Sequence, residues 1–252
     1  MTKQEALFEF LLRKADDSLI LGHRLSEWCG HGPILEEDIA LTNISLDLIG
    51  QATELYKYAA EVENKGRTED DLAFLRIEKE YKNVLLVEQL NGDFGKTIVR
   101  QFLFDHFEHL LYEGLMNSKD ERISGIATKT IKEIKYHLRH SSEWVIRLGD
   151  GTEESHERVQ ASVTDLSRFI DELFYQDEAE QILIQEGVIP DIKNFRVEFE
   201  SNIEKILDEA TLKLPEKRWQ LDGGRKGVHT EHLGYLLAEL QYMQRTYPGM
   251  EW

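Results

Sequence analysis

The sequence predicts an all-α protein built on a bundle of long helices, and three observations carry that prediction. Only four prolines occur in 252 residues, Pro33, Pro190, Pro215 and Pro248, each between apolar-periodic segments or near the end of the chain. Proline inside a helix removes a hydrogen bond and clashes with the preceding turn, so the long stretches between these points are free to be helical. Within them apolar side chains recur at helical spacing, as at Leu41, Ile44, Leu48, Leu55 and Ala59. The same spacing returns at Ile126, Thr130, Ile134, His137 and Leu138. Alternating apolar and polar strands bounded by Asn-Gly or Asp-Gly turns are missing.

Taken in order, the first helix is expected over roughly 4–28 and ends at the breaker Gly30-His31-Gly32-Pro33. A second follows over roughly 36–63 and a third over roughly 70–88, closed by Asn91-Gly92 as an interhelical turn. Helices over roughly 95–118 and 122–148 come next, the latter stopped by Gly149-Asp150-Gly151. Thr152 is placed to cap a helix over roughly 153–174, with Glu153 and Glu154 suited to its positive N-terminal end. Helices over roughly 177–187, 191–211 and 229–247 complete the series. The segment Pro215 to Val228, PEKRWQLDGGRKGV, is longer than an ordinary connection and is expected to be functional or interface-forming. No repeat, low-complexity tract or linker divides the chain, so residues 1–252 are expected to form one domain.

Composition narrows the function classes. Lys and Arg number 30 against 48 Asp and Glu, a formal net charge of −18, which repels phosphate backbones and anionic lipid heads. Nucleic acid and membranes are therefore not expected as partners. Hydrophobic residues make up 41% and charged residues 31%, too much apolar material for a disordered chain. The single cysteine, Cys29, rules out an intrachain disulfide and zinc-ribbon chemistry. The opening MTKQEALFEFLLRKADD has no apolar signal region, and no apolar run is long enough to span a bilayer, so a cytoplasmic location is expected. Neither a Gly-x-Ser-x-Gly elbow nor a phosphate-binding glycine loop is present.

Long antiparallel helices raise the question of a di-metal site. In ferritin-like carboxylate proteins two helices each supply a Glu, and two others each supply Glu-x-x-His, because residues three apart share a helix face. Here the second helix reads Asp47-Leu48-Ile49-Gly50-Gln51, with leucine and a weak neutral amide in those two slots. The fifth reads Glu133-Ile134-Lys135-Tyr136-His137, keeping the histidine but not the carboxylate three before it. A lone Asp105 and His137 cannot hold two irons, and the site looks vacated. A single metal between the pairs Asp105/His109 and Glu133/His137 competes with the simpler expectation that Asp105 and His137 bond to each other while His109 and Glu133 face water.

Other histidines are weaker candidates. His229-Thr230-Glu231-His232 offers half a zinc site with no completing cluster nearby, and a capping Thr230 or packed His232 is the expected use. His31 is expected to be structural. The locally basic run from Lys217 and Arg218 to Arg225 and Lys226, with Trp219 and Gly223-Gly224, could contact a partner or clamp an anion such as a CoA phosphate. Its alternative is a solvated loop that balances local charge.

Four long strings carry a family resemblance: RLSEWCGHGPILEEDIALTNISLDLIGQA (24–52), NVLLVEQLNGDF (83–94), IKEIKYHLRHSSEWVIRLGDGT (131–152) and KGVHTEHLGYLLAELQYMQRTYPG (226–249). They are similar to the C subunits of bacterial phenylacetyl-CoA epoxidases, and the similarity runs from about residue 5 onward. The resemblance implies a ferritin-like bundle with additional C-terminal helices, acting in phenylacetate catabolism within a cytoplasmic, multicomponent oxygenase. In that family a related A subunit holds the di-iron centre that uses O₂ to epoxidise the aromatic ring, and a reductase delivers electrons from NADPH. The C subunit is non-catalytic, binds no cofactor and pairs with the A subunit. The implied assembly is a hetero-oligomer with further oxygenase subunits, and a homodimer is a further possibility. The family's ligand positions fall here on Leu48, Gln51, Ile134 and His137, on Asp105, and on the first helix near Asp17 or Ser18. Trp28, Trp219 and Trp252 are candidate partner contacts. Two alternatives stand beside this reading: a di-iron monooxygenase with non-standard ligands, and a CoA-thioester-binding module.

Overall fold

A computed structural model describes residues 1–216 and 219–250, and among them there is no β-strand. The all-α expectation holds. Helix α1 (Lys3–Ser26) starts at a reciprocal capping box, with Thr2 accepting from the Glu5 amide and Glu5 from the Thr2 amide. α2 (Leu35–Glu63) ends at Asn64 in the left-handed conformation. α5 (Phe94–Leu115) is capped by Asp93, and α6 (Glu121–Gly149) by Asp120, which accepts from the amides of Arg122 and Ile123. Thr152 caps α7 (Glu153–Leu166) as its sequence position suggests, and α10 (Arg196–Glu209) follows a short 3₁₀ turn.

The described chain groups into two compact units interleaved along the sequence. The first takes Met1–Leu90, Asp177–Ile182 and the residues from Asp222 onward; the second takes Asn91–Gln176 and Leu183–Leu221. The core of the first is α1 packed along α2, with Leu11, Ala15, Ile20, Leu41, Ile44 and Leu55 buried and the Ser45 hydroxyl bonded to the Gly22 carbonyl at 2.7 Å. In the second, α5 packs on α6, and both α7 and α10 lie against that pair. α5 is buried on nearly all sides, through Phe102, Leu103, Phe104, Phe107 and Leu111, while α6 keeps a sharply amphipathic pattern.

Three long helices expected from the sequence are broken. The stretch 70–88 divides into α3 (Glu69–Phe74), a 3₁₀ turn at Glu78–Glu80 and α4 (Leu85–Glu88). Its backbone between these pieces finds side-chain partners in place of a helical ladder, because the Lys82 and Val84 amides donate to the carboxylates of Asp16 and Asp17 on α1. The stretch 153–174 tightens to a 3₁₀ turn at Ser167–Phe169 before α8 (Ile170–Leu173). The last, 229–247, divides into α11 (Glu231–Leu240) and α12 (Tyr242–Thr246), where the buried Gln241 side chain bonds the Arg76 carbonyl and the Tyr81 hydroxyl. α9 (Glu178–Gln185) completes the set. None of the described helices is long and apolar enough to cross a membrane.

Candidate functional site

The ligand-type positions of the first unit lie on α1 and α2. Asp17 sits mid-helix on α1 with 1% of its surface exposed. Its two oxygens receive a bidentate pair from Arg225, at 3.0 and 2.7 Å, the Lys14 ammonium at 2.7 Å and the Val84 amide at 2.9 Å. Burial pushes its pKa up, but Arg225 and Lys14 outweigh this and hold the carboxyl below its ordinary value. Asp17 is thus an anion already neutralised by two cations of its own chain. Ser18, beside it, spends its hydroxyl on the Lys14 carbonyl at 3.1 Å. Leu48 and Gln51, three apart on α2, are both buried on that helix's core face.

In the second unit Asp105 on α5 accepts from Gln101 Nε2 at 2.5 Å and from Ser141 Oγ of α6 at 2.8 Å. Burial pushes its carboxyl up to about 7, against the pull of His137, Ser141 and Gln101. His137 is buried near Asp105, and Ile134 is buried one turn away on the same face of α6. His109 and Glu133 are half-buried, and His109 approaches Glu113 at 3.5 Å. His106, next to Asp105 in sequence, packs edge-on against Phe102 and is pushed down by burial to about 4.

As a donor set these positions do not fit a di-iron pair. Leu48 and Ile134 carry no lone pair, Gln51 is neutral, and Asp17 is committed to Arg225 and Lys14. Among the described residues no three His, Cys, Asp or Glu side chains gather as a cation would require.

The basic segment departs from expectation at Arg225, which is a buried structural cation and not a surface anion contact. Besides Asp17 it donates to the carbonyls of Arg13 at 3.2 Å and Lys82 at 2.7 Å. A close backbone approach puts it there, because a Cβ on Gly224 would strike the Asn83 carbonyl oxygen. Lys226 is exposed, 4.0 Å from Asp222, and Trp219 is 82% exposed. Lys217, Arg218 and Trp252 lie outside the described residues, and Trp28 is half-buried.

Sequence reasoning missed the ionic interior of the first unit. Asp16 takes the Arg76 guanidinium, the Tyr56 hydroxyl and the Lys82 amide, and Arg76 stacks over Tyr81 at 4.2 Å. Glu88, wholly buried, accepts from Asn83, from the amide and hydroxyl of Thr230, and from His229 Nδ1 at 2.8 Å. His229 Nε2 faces the Tyr81 carbonyl at 3.0 Å. Both ring nitrogens therefore face acceptors, and although burial pushes the imidazole down, Glu88 raises it overall, so His229 is an ion-pair partner and not half a zinc site. The signal was present: Arg13-Lys14 and Asp16-Asp17 stand between the apolar runs at Leu11-Leu12 and Leu19-Ile20-Leu21 of α1, and buried acids demand partners.

The full sequence, residues 1–252, matches the family described as phenylacetic acid catabolic protein. The chain belongs to that family. It is 47% identical over 246 residues to the C subunit of the 1,2-phenylacetyl-CoA epoxidase of Escherichia coli K12, a match that covers 98% of this chain and 99% of that one. The family is one of ferritin-like helical proteins, in agreement with the all-helical fold of the described residues.

Proposed function

We propose that this chain is a non-catalytic subunit of a phenylacetyl-CoA epoxidase, carrying no metal of its own and pairing with a related di-iron subunit that performs the oxygen chemistry. The observation that carries the reading is the fate of the ligand-type positions: hydrocarbon at Leu48 and Ile134, a neutral amide at Gln51, and an Asp17 neutralised by Arg225 and Lys14. Two metal cations would meet two fixed cations beside Asp17, where like charges repel and desolvation is unrelieved. The nearly full-length similarity to an epoxidase subunit supports the assembly part of the reading. The reductase and the location in the cytoplasm come from the family resemblance.

The test is co-expression with the related catalytic subunit and a reductase. The two related chains are expected to co-purify, with turnover requiring the catalytic chain. Turnover by this chain with reductase alone would replace the proposal with that of an oxygenase using non-standard ligands. The CoA-binding alternative loses Arg225 from its clamp. Calorimetric titration with phenylacetyl-CoA is expected to give no heat from this chain alone.

A further inference from the structure

The C-terminal segment of the first unit is anchored at two points of different chemistry. Residues 223–230 run beside residues 79–88, so close that a Cβ on Gly224 would strike the Asn83 carbonyl oxygen and one on Gly227 the Lys79 carbonyl oxygen. Arg225 fixes the first end through Asp17, and a guanidinium keeps its charge at any pH a folded protein meets. His229 fixes the second end, its wholly buried ring set between Glu88 Oε2 at 2.8 Å and the Tyr81 carbonyl at 3.0 Å. Only an imidazolium donates from both nitrogens, so both acceptors are satisfied only while the ring carries two protons. Among the described residues it is also the one ion-pair partner of the buried Glu88 carboxylate, whose other contacts, from Asn83 and Thr230, are uncharged. Loss of the proton therefore leaves a ring nitrogen without a hydrogen against an acceptor, and a buried anion without a counter-charge.

The groups around the ring agree with that reading. Arg24 of α1 donates to the Glu88 and His232 carbonyls and not to the Glu88 carboxylate. Asp16 of α1, itself held by Arg76, adds to the attraction for the proton, and the Tyr81 hydroxyl, pushed up to about 12 by burial, stays neutral. Burial opposes the imidazole's charge, but Glu88 outweighs it and holds the folded value above the ordinary 6.5. Between the two anchors lies Gly227 in the left-handed conformation, at a φ of 73°. Beyond His229, α11 is seated by Leu233, Leu236 and Leu237, and Gln241 and Arg245 donate to the Arg76 carbonyl. We propose that His229 is a proton-operated latch, which holds α11 and α12 on the first unit while doubly protonated and lets them open about Gly227 when it loses a proton, with Arg225 still seated. The inference does not rest on the functional reading above. Opening is lowest below the ordinary value of 6.5, grows by up to about tenfold per pH unit above it, and levels off past the folded value.

Amide hydrogen exchange of the full chain from about pH 6 to 8.5, corrected for the intrinsic rate at each pH, tests this. The expected result is that protection of amides 233–240 falls with that slope above pH 6.5. Amides 48–55 of α2, and those of Lys226 and Gly227 beside Arg225, should keep their protection. His229→Gln removes the titrating ring and Glu88→Gln the charge that draws its proton, so each should abolish the slope. The comparison of α11 with α2 in the unaltered chain needs neither variant. Protection of α11 that does not change with pH overturns the proposal. So does a loss of protection in α2 with the same slope, which is unfolding of the whole unit, or a slope that persists in either variant.

Discussion

At the residue scale, the behaviour of Asp17 and Arg225 follows from their burial. Taking a carboxylate out of water is tolerable here because a bidentate guanidinium, an ammonium and a backbone amide surround it. Replacing Arg225 by Met leaves that charge to Lys14 and the Val84 amide, removes the donor to the Arg13 and Lys82 carbonyls, and should cost about 3 kcal/mol of stability near neutral pH, measured by urea denaturation. Because pairing lowers Asp17, the stability it brings is present above its ordinary pKa of 3.8 and is lost as the pH falls through the lower folded value. The variant's deficit should therefore narrow in acid, where a protonated Asp17 no longer needs its partner. Asp105 and His106 make an opposed pair on α5. Asp105, raised from 3.8 to about 7, is strained while ionised, so its contribution improves as the pH falls from 7 toward 4. His106, lowered from 6.5 to about 4, takes up its proton more readily when unfolded, so its contribution declines over nearly the same window. Asp105→Asn should steepen acid destabilisation between pH 6.5 and 4, and His106→Gln should flatten or reverse it. Equal slopes in the two variants would contradict this assignment.

At the scale of elements, the long helices were legible because proline placement and apolar period are local properties, and α1, α2, α5 and α6 fall close to their expected bounds. The breaks were not legible because their causes are distant in sequence. Nothing within residues 70–88 announces that the Lys82 and Val84 amides will bond to carboxylates on α1. Within the basic loop, read as a partner contact or an anion clamp, the burial of Arg225 was hidden for the same reason, since nothing local announces that Gly224 lies against the Asn83 carbonyl. That contact makes a prediction for the loop as a unit. Gly224→Ala should displace the turn, withdraw Arg225 from Asp17 and destabilise the protein, whereas Lys226→Ala, at an exposed site, should change stability by about 0.5 kcal/mol or less. Thermal denaturation of the two variants separates a structural loop from a solvated one. Capping offers a smaller check at α6, where Asp120→Ala should cost about 1 kcal/mol.

At the scale of the molecule, the residue types at the family's ligand positions were legible in the sequence, but the partners that hold them were not. Leu48 and Ile134 could be read directly as groups with no lone pair and Gln51 as a weak neutral donor, because ligand chemistry depends on residue type. That Asp17 is held by residues 14 and 225 required the fold, which brings the C-terminal segment back onto α1 within the first unit. Asp16, Asp17 and Glu88 are each paired within the first unit, with Arg76, with Arg225 and Lys14, and with His229, and the proposal that this chain carries no metal builds on that pairing. Iron analysis tests that claim most directly. The chain would be purified from iron-rich medium, alone and together with the related di-iron subunit proposed as its partner, and the iron of each component measured. The account predicts iron only with the related subunit and none above background in this chain. A stoichiometric pair of irons in this chain alone would contradict it.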